Sequence, residues 1–201
     1  MIKAITTRKG EVVQNPPIVT KLLNHPLASL IWLPIRVWLG WQWLQAGLHK
    51  VESPAWMQTG AALKGFWMSA VNIPATGTPP IHYAWYRALL QMMLNAQAYT
   101  WFAKLVAVGE LLVGVALILG IFTGFSAFMG GFMNWNYIMA GSASVNPMFF
   151  ALSVGLVLAW KISGYIGADF FLVPWIGTLW GHKKEKVVTI PAGLPKGAEA
   201  R

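Results

Sequence analysis

Apolar residues fall into four long runs separated by polar breaks. The first extends from about 28 to 48, the second from about 102 to 122, the third from about 125 to 140 and the fourth from about 148 to 162. At 1.5 Å per residue a run of about 20 residues crosses the ~30 Å apolar core of a bilayer. The third and fourth are shorter and need flanking residues, or a partly re-entrant path, to do so. The pattern predicts an all-α membrane protein, a four-transmembrane-helix bundle. Pro34 lies near the start of the first run, where neighbouring groups can compensate for the lost hydrogen bond.

Between the first two runs, residues 49–101 form a long connection with turn signals at Ser53-Pro54, Ile73-Pro74 and Thr76-Gly77-Thr78-Pro79-Pro80. Two amphipathic pieces lie inside it. Over 84–101, Arg87, Gln91 and Asn95 line one helical face, with Trp85, Leu89, Met92 and Tyr99 opposite. Over 54–70, Trp56, Leu63 and Trp67 oppose Gln58 and Lys64. These are expected either as amphipathic interfacial helices lying in the membrane plane or as a small folded cap. Thr123-Gly124 turns the second run into the third. Asn146-Pro147 reads as a helix N-cap followed by proline at the first helical position. The organisation is thus a polar N-terminal tail (1–26), a membrane domain (27–180) and a basic, flexible C-terminal tail (181–201). Within it, the aromatic-rich 165–180 is expected at the interface.

Composition agrees: 56% of residues are hydrophobic and only 10% charged, against about 25% charged in soluble domains. The net charge of +9 sits mainly in the tails. It therefore reads as contact with anionic lipid and as topology, not as a nucleic-acid surface. The N-terminal tail carries Lys3, Arg8, Lys9 and Lys21. The C-terminal side carries Lys161, Lys183, Lys184, Lys186, Lys196 and Arg201. Both termini are expected on the cytoplasmic side, with the 49–101 connection outside. No cleavable signal peptide is evident; the first apolar run is too long for one. The chain has no cysteine, which excludes protein-ligated iron–sulfur clusters and thiol–disulfide chemistry. It also excludes a four-helix thiol oxidase. The four histidines lie outside the apolar runs, so haem is not expected, nor is a metal site.

Arg36 and Glu110 are isolated charges inside the first and second runs. A charge in hydrocarbon costs several kcal/mol unless paired or lining a polar cavity. Arg36, Gly40, Trp43, Gly47 and Lys50 share one helical face. So do Ala103, Ala107, Glu110, Gly114 and Leu117 in the second run, and Ala127, Gly130, Gly131, Asn134 and Tyr137 in the third. The small residues permit close helix approach. By the helical rise Arg36 lies nearest the cytoplasmic end of its run, with Glu110 and Asn134 deeper in theirs. The expectation is a site in which Arg36 reaches up to pair with Glu110 beside Asn134. Asn136 points to nearly the opposite side of its helix.

Arg36-x3-Gly40-x6-Gly47-x2-Lys50 and Glu110-x3-Gly114 resemble the DoxX/DoxD family of small prokaryotic membrane proteins. So do the run from Asn134 to Pro147, the pair Ala159-Trp160, and Gly164-Tyr165-Ile166-Gly167 with Asp169. The resemblance covers about 31–180. It implies a four-helix bundle in a prokaryotic cell (inner) membrane and, for one branch, the DoxD-type subunit of thiosulfate:quinone oxidoreductase. The long aromatic outer loop departs from the shortest members.

The candidate catalytic residues are Arg36, Glu110 and Asn134, at a site for a quinone headgroup or a proton relay. The bland counterpart is a structural ion pair that fixes helix register. Trp43, Trp135, Asn136 and Tyr137 are candidates for quinone contact, against interhelical polar packing and interface belts. His49 and Lys50 are candidates for an anionic oxo-sulfur substrate, against simple interface anchors. The expected function is a membrane subunit of a quinone-linked redox complex, in contact with lipid and with other subunits. The alternative is a noncatalytic accessory subunit of a larger assembly. A transporter ranks behind both, since no inverted repeat is visible.

Overall fold

The computed structural model describes residues 15–176, and the tails at 1–14 and 177–201 lie outside it. All regular structure among the described residues is helical. Helix α1 (Pro17–Asn24) leads through a 3-10 turn (Pro26–Ala28) into α2 (Ser29–Val51). Three helices follow in the long connection: α3 (Pro54–Met57), α4 (Ala61–Val71) and α5 (Ala84–Asn95). Then come α6 (Tyr99–Leu119), α7 (Thr123–Met139), α8 (Asn146–Leu158), α9 (Trp160–Ser163) and α10 (Asp169–Ile176).

Helices α2, α6, α7 and α8 run alternately up and down around one core that takes Leu39, Val113, Ala127 and Leu156 from each in turn. The inward stripes read from the sequence are the buried ones. Arg36, Gly40, Trp43 and Gly47 are buried on α2; Ala103, Ala107, Glu110, Gly114 and Leu117 on α6; Ala127, Gly130, Gly131 and Asn134 on α7. By length and composition, only α6 among the described helices could cross a membrane unaided. The α1–α2 pair passes the same test jointly, bent by 69°, and α8 is a shorter apolar helix.

The α2–α6 contact is the closest in the bundle, because glycines let the backbones meet. A Cβ on Gly47 would lie 2.5 Å from Leu111 N and 2.7 Å from Leu111 Cα, and one on Gly114 would strike the backbone of Leu44. Neither neighbour can yield, since both are backbone. Gly114→Val is therefore expected to destabilise the protein by about 1–3 kcal/mol through overpacking, read as a lower unfolding midpoint in detergent. Gly65, with nothing near its Cβ position, is the control: Gly65→Val lacks that clash.

The connection folds as a cap. Helix α4 packs on α5 and on α6, and the cap buries Leu63, Trp67, Ala70, Ile81, Tyr86 and Leu90 with Ala98, Ala103 and Ala140. The piece read as one helix over 54–70 is broken at Gly60, which takes φ +69° against the Tyr99 carbonyl. The piece read over 84–101 stops at Asn95. Its buried face carries Tyr86 and Leu90, while Trp85 and Met92 remain 57% and 61% exposed. Alternation of polar and apolar residues did mark a two-faced helix, but tertiary packing chose a face rotated from the expected one. Two further boundaries move. The α6–α7 turn is centred on Gly120 to Phe122, both left-handed, rather than on Thr123-Gly124. Asn146 is the first residue of α8, not its cap, and its Nδ2 donates back to the Ser142 carbonyl at 2.8 Å.

Candidate functional site

Arg36 and Glu110 do not pair. Helices α2 and α6 are antiparallel, with Gly40 facing Gly114 and Leu117, and Gly47 facing Leu111. Continuing that register sets Arg36 opposite Gly120, against which its guanidinium packs. Glu110 lies ten residues away along α6, about 15 Å at the helical rise. The side chain that reaches Glu110 is Lys50, fourteen residues beyond Arg36.

At that end Lys50 Nζ lies 2.6 Å from Glu110 Oε2. Tyr137, on α7, donates its phenolic hydrogen to Glu110 Oε1 at 2.6 Å. Glu110 is 1% exposed and Lys50 17%. The carboxylate is thus neutralised by one cation and held by one hydroxyl, the arrangement a buried charge requires. Lys50 also lies 5.2 Å from the centroid of the Trp56 ring. Its ammonium is matched by an internal carboxylate, while His49 faces outward. The two do not form one cationic site for an anion.

Asn134 makes no hydrogen bond to Glu110, and Tyr137, one turn further along α7, makes it instead. Asn134 is fully buried in the bundle interior, and both of its amide atoms lack hydrogen-bond partners, as do Trp43 Nε1 and Ser153 Oγ. The Trp43 indole and the Val113 side chain both lie against Gly130. Neither Trp43 nor Asn134 hydrogen-bonds to Glu110.

Tyr137 also borders a cavity of about 300 Å³ between the cap and the bundle. Its walls are Phe66, Trp67 and Met93 from the cap with Phe102, Phe132 and Met133 from α6 and α7. Its lining includes the polar groups of Tyr86, Asn136 and Tyr137. Tyr86 Oη donates toward the Asn136 carbonyl (3.1 Å) and its Oδ1 (3.2 Å), and Asn136 Nδ2 donates to the Phe132 carbonyl at 2.8 Å. Burial pushes the Tyr86 phenol up to about 12, so it stays protonated. Asn136 and Tyr137 therefore border one cavity although they sit on different sides of α7, because the cap wraps both. Trp135 does not line it; its ring packs edge-on to Tyr86 and stacks on Phe132. Among the described residues, no cluster of three or more His, Cys, Asp or Glu could hold a metal.

A second polar centre lies at the opposite end of the bundle. Arg36, 1% exposed, donates from Nη1 to the Ser163 carbonyl at 3.1 Å and from Nη2 to the Ile166 carbonyl at 2.8 Å. Asp169 accepts from the amides of Phe122 (2.6 Å) and Thr123 (2.8 Å). It thereby satisfies the open amides at the N-terminus of α7 and complements the helix dipole. The amides of Ala168 and Asp169 in turn donate to the Leu119 and Gly120 carbonyls. Arg36 is accordingly part of a lock that fastens 163–169 onto the α6–α7 turn. In the sequence Lys50 reads, with His49, as a contact for an anionic substrate or as an interface anchor; the signal for its pairing with Glu110 is its place on the Arg36–Gly47 stripe. The Ser163 and Ile166 carbonyls gave no signal, since any residue carries one.

No curated protein and no solved structure matches the chain. The DoxX family model matches residues 31–143, which include Lys50, Glu110 and Tyr137. With more than half of its length matched, the chain belongs to the DoxX family, a family of membrane-associated proteins.

Proposed function

We propose that this chain is a multi-pass membrane subunit of a quinone-linked redox complex and that it holds a quinone in the cavity beside Tyr137. In this reading α2, α6 and α7 span the bilayer, together with α8 continued by α9. The Lys/Arg excess in both tails sets the termini on the cytoplasmic side and the cap outside. One observation carries the reading. An aromatic, methionine-rich cavity of about 300 Å³ meets a phenol that is hydrogen-bonded to an ion-paired buried carboxylate. A quinone needs an apolar slot for its ring and tail, and polar groups at its oxygens. Bound there, it would supply two-electron, two-proton chemistry. The chain's residues would supply the slot and, through Tyr137, contact with a charged pair. Leu89 and Phe132, 39% and 49% exposed, stand at the cavity wall, so a lipophilic ligand could arrive sideways from the bilayer.

The test is gentle solubilisation from the native membrane, followed by mass spectrometry of extracted quinones and of copurifying proteins. Quinone should accompany the wild-type chain and fall by at least about ten-fold in Val106→Phe, which adds bulk to the cavity wall. A chain that carries no quinone and takes up none when it is added would overturn the proposal. Redox partner subunits should also copurify; a monomer without any would overturn the subunit role.

A further inference from the structure

Phe66 and Tyr137 each border two spaces. One is the apolar cavity; the other is a cleft of about 240 Å³ that they line with Lys50, Trp56, Ser142 and Asn146. The two rings meet edge to face, 6.0 Å between centroids at 75°. They form a partition. On the cavity side the surface is mostly hydrocarbon. On the other, a lysine, a serine and an asparagine face a space open to water.

Two polar groups in the cavity lead nowhere. Tyr86 donates to Asn136, and Asn136 donates to the backbone of its own helix. Tyr137 differs, because its hydrogen bond leads out of the cavity. From Tyr137 Oη to Glu110 Oε1 is 2.6 Å, and from Glu110 Oε2 to Lys50 Nζ is again 2.6 Å. Lys50 borders the polar cleft. Lys64, the cation of α4, lies instead over the Tyr99 ring at 5.3 Å.

We propose that Tyr137, Glu110 and Lys50 form a proton path between a hydroxyl-bearing occupant of the apolar cavity and water in the polar cleft, with Phe66 keeping the two spaces apart. The idea rests on the cavity being a ligand site. In one passage, Tyr137 Oη accepts a proton from the occupant's hydroxyl as its own proton moves to Glu110. The Lys50 ammonium gives a proton to cleft water and regains one from the Glu110 carboxyl. One proton has crossed, the phenol, carboxylate and ammonium are restored, and no electron has moved. The two transfers inside the protein, Tyr137 to Glu110 and Glu110 to Lys50, run along hydrogen bonds of 2.6 Å. The path allows an occupant to exchange protons without water entering the cavity.

The experiment uses the full chain in lipid nanodiscs and a lipophilic nitrophenol whose phenolate is coloured. Probe bound to the cavity is identified as the fraction lost in Val106→Phe. Its protonation is followed by stopped-flow absorbance after a pH jump. Tyr137→Phe should slow that exchange by at least about ten-fold, within the range by which positioned acid–base groups act, measured on the probe that remains bound. Adding Phe66→Ala to Tyr137→Phe opens the partition and should restore the rate. Exchange that is equally fast with and without the Tyr137 hydroxyl would overturn the path but leave the ligand site standing. A probe that never binds in the cavity would overturn both.

Discussion

Lys50→Met is expected to cost about 3–5 kcal/mol of stability, whereas Lys50→Met combined with Glu110→Leu should recover most of that loss. The single change leaves the Glu110 carboxylate, 1% exposed, without its cation. The Tyr137 hydroxyl remains, but one hydrogen bond does not replace a matched charge. The double change removes both charges, so neither has to be desolvated, and two apolar side chains fill the space. What remains is the Tyr137 hydroxyl without its acceptor, about 1–3 kcal/mol. Thermal unfolding of the purified full chain in detergent, for both singles and the double, measures the interaction. A double variant no more stable than Lys50→Met would show that the pair is not the balance of charges described above. The same proteins separate stability from function: the double should fold and yet lose proton exchange with a cavity-bound phenol.

The faces of the bundle helices were legible in the sequence, but their register was not. Small residues recurring every three or four positions marked the sides of α2, α6 and α7 that are buried, including Gly47 and Gly114 at the closest approach. Charge was a poorer guide. Opposite signs in two apolar runs suggested that Arg36 meets Glu110, because each would otherwise be alone in hydrocarbon. Two features of the fold decide otherwise. The apolar run ends at about Leu48, which reads Lys50 as an outer-end residue, while α2 continues to Val51 and carries Lys50 to the level of Glu110. Backbone carbonyls, which carry no sequence signal, are what the Arg36 guanidinium finds at Ser163 and Ile166. Tyr137 stands on the right stripe and reads as a quinone contact; its bond to Glu110 depends on the offset between α6 and α7, which periodicity does not encode. The cavity was invisible for a related reason. Its walls come from α4, α5, α6 and α7 together, and it exists only once the cap has docked.

Arg36→Met should destabilise the protein by about 3 kcal/mol or more, since a charged donor normally contributes about 1.5–3 kcal/mol per hydrogen bond and the Ser163 and Ile166 carbonyls would lose theirs. The loss extends beyond two bonds. Asp169 holds the amides of Phe122 and Thr123, and Phe122 is a non-glycine residue at φ +44°. Such a conformation persists only where its surroundings enforce it, and the segment that brings Asp169 there is the one Arg36 fastens. Arg36→Lys should recover only part of the stability, because an ammonium lacks the planar fork that reaches two carbonyls at once. The decisive measurement is a double-mutant cycle. If Arg36 and Glu110 belong to separate centres about 15 Å apart, the effects of Arg36→Met and Glu110→Leu should add to within about 0.5 kcal/mol. Lys50 and Glu110 should instead show a coupling of several kcal/mol. A coupling above about 1 kcal/mol between Arg36 and Glu110 would mean that the two ends of the bundle act as one unit. Additivity would leave Arg36 as the residue that closes the bundle at one end, and Glu110 as the residue available for chemistry at the other.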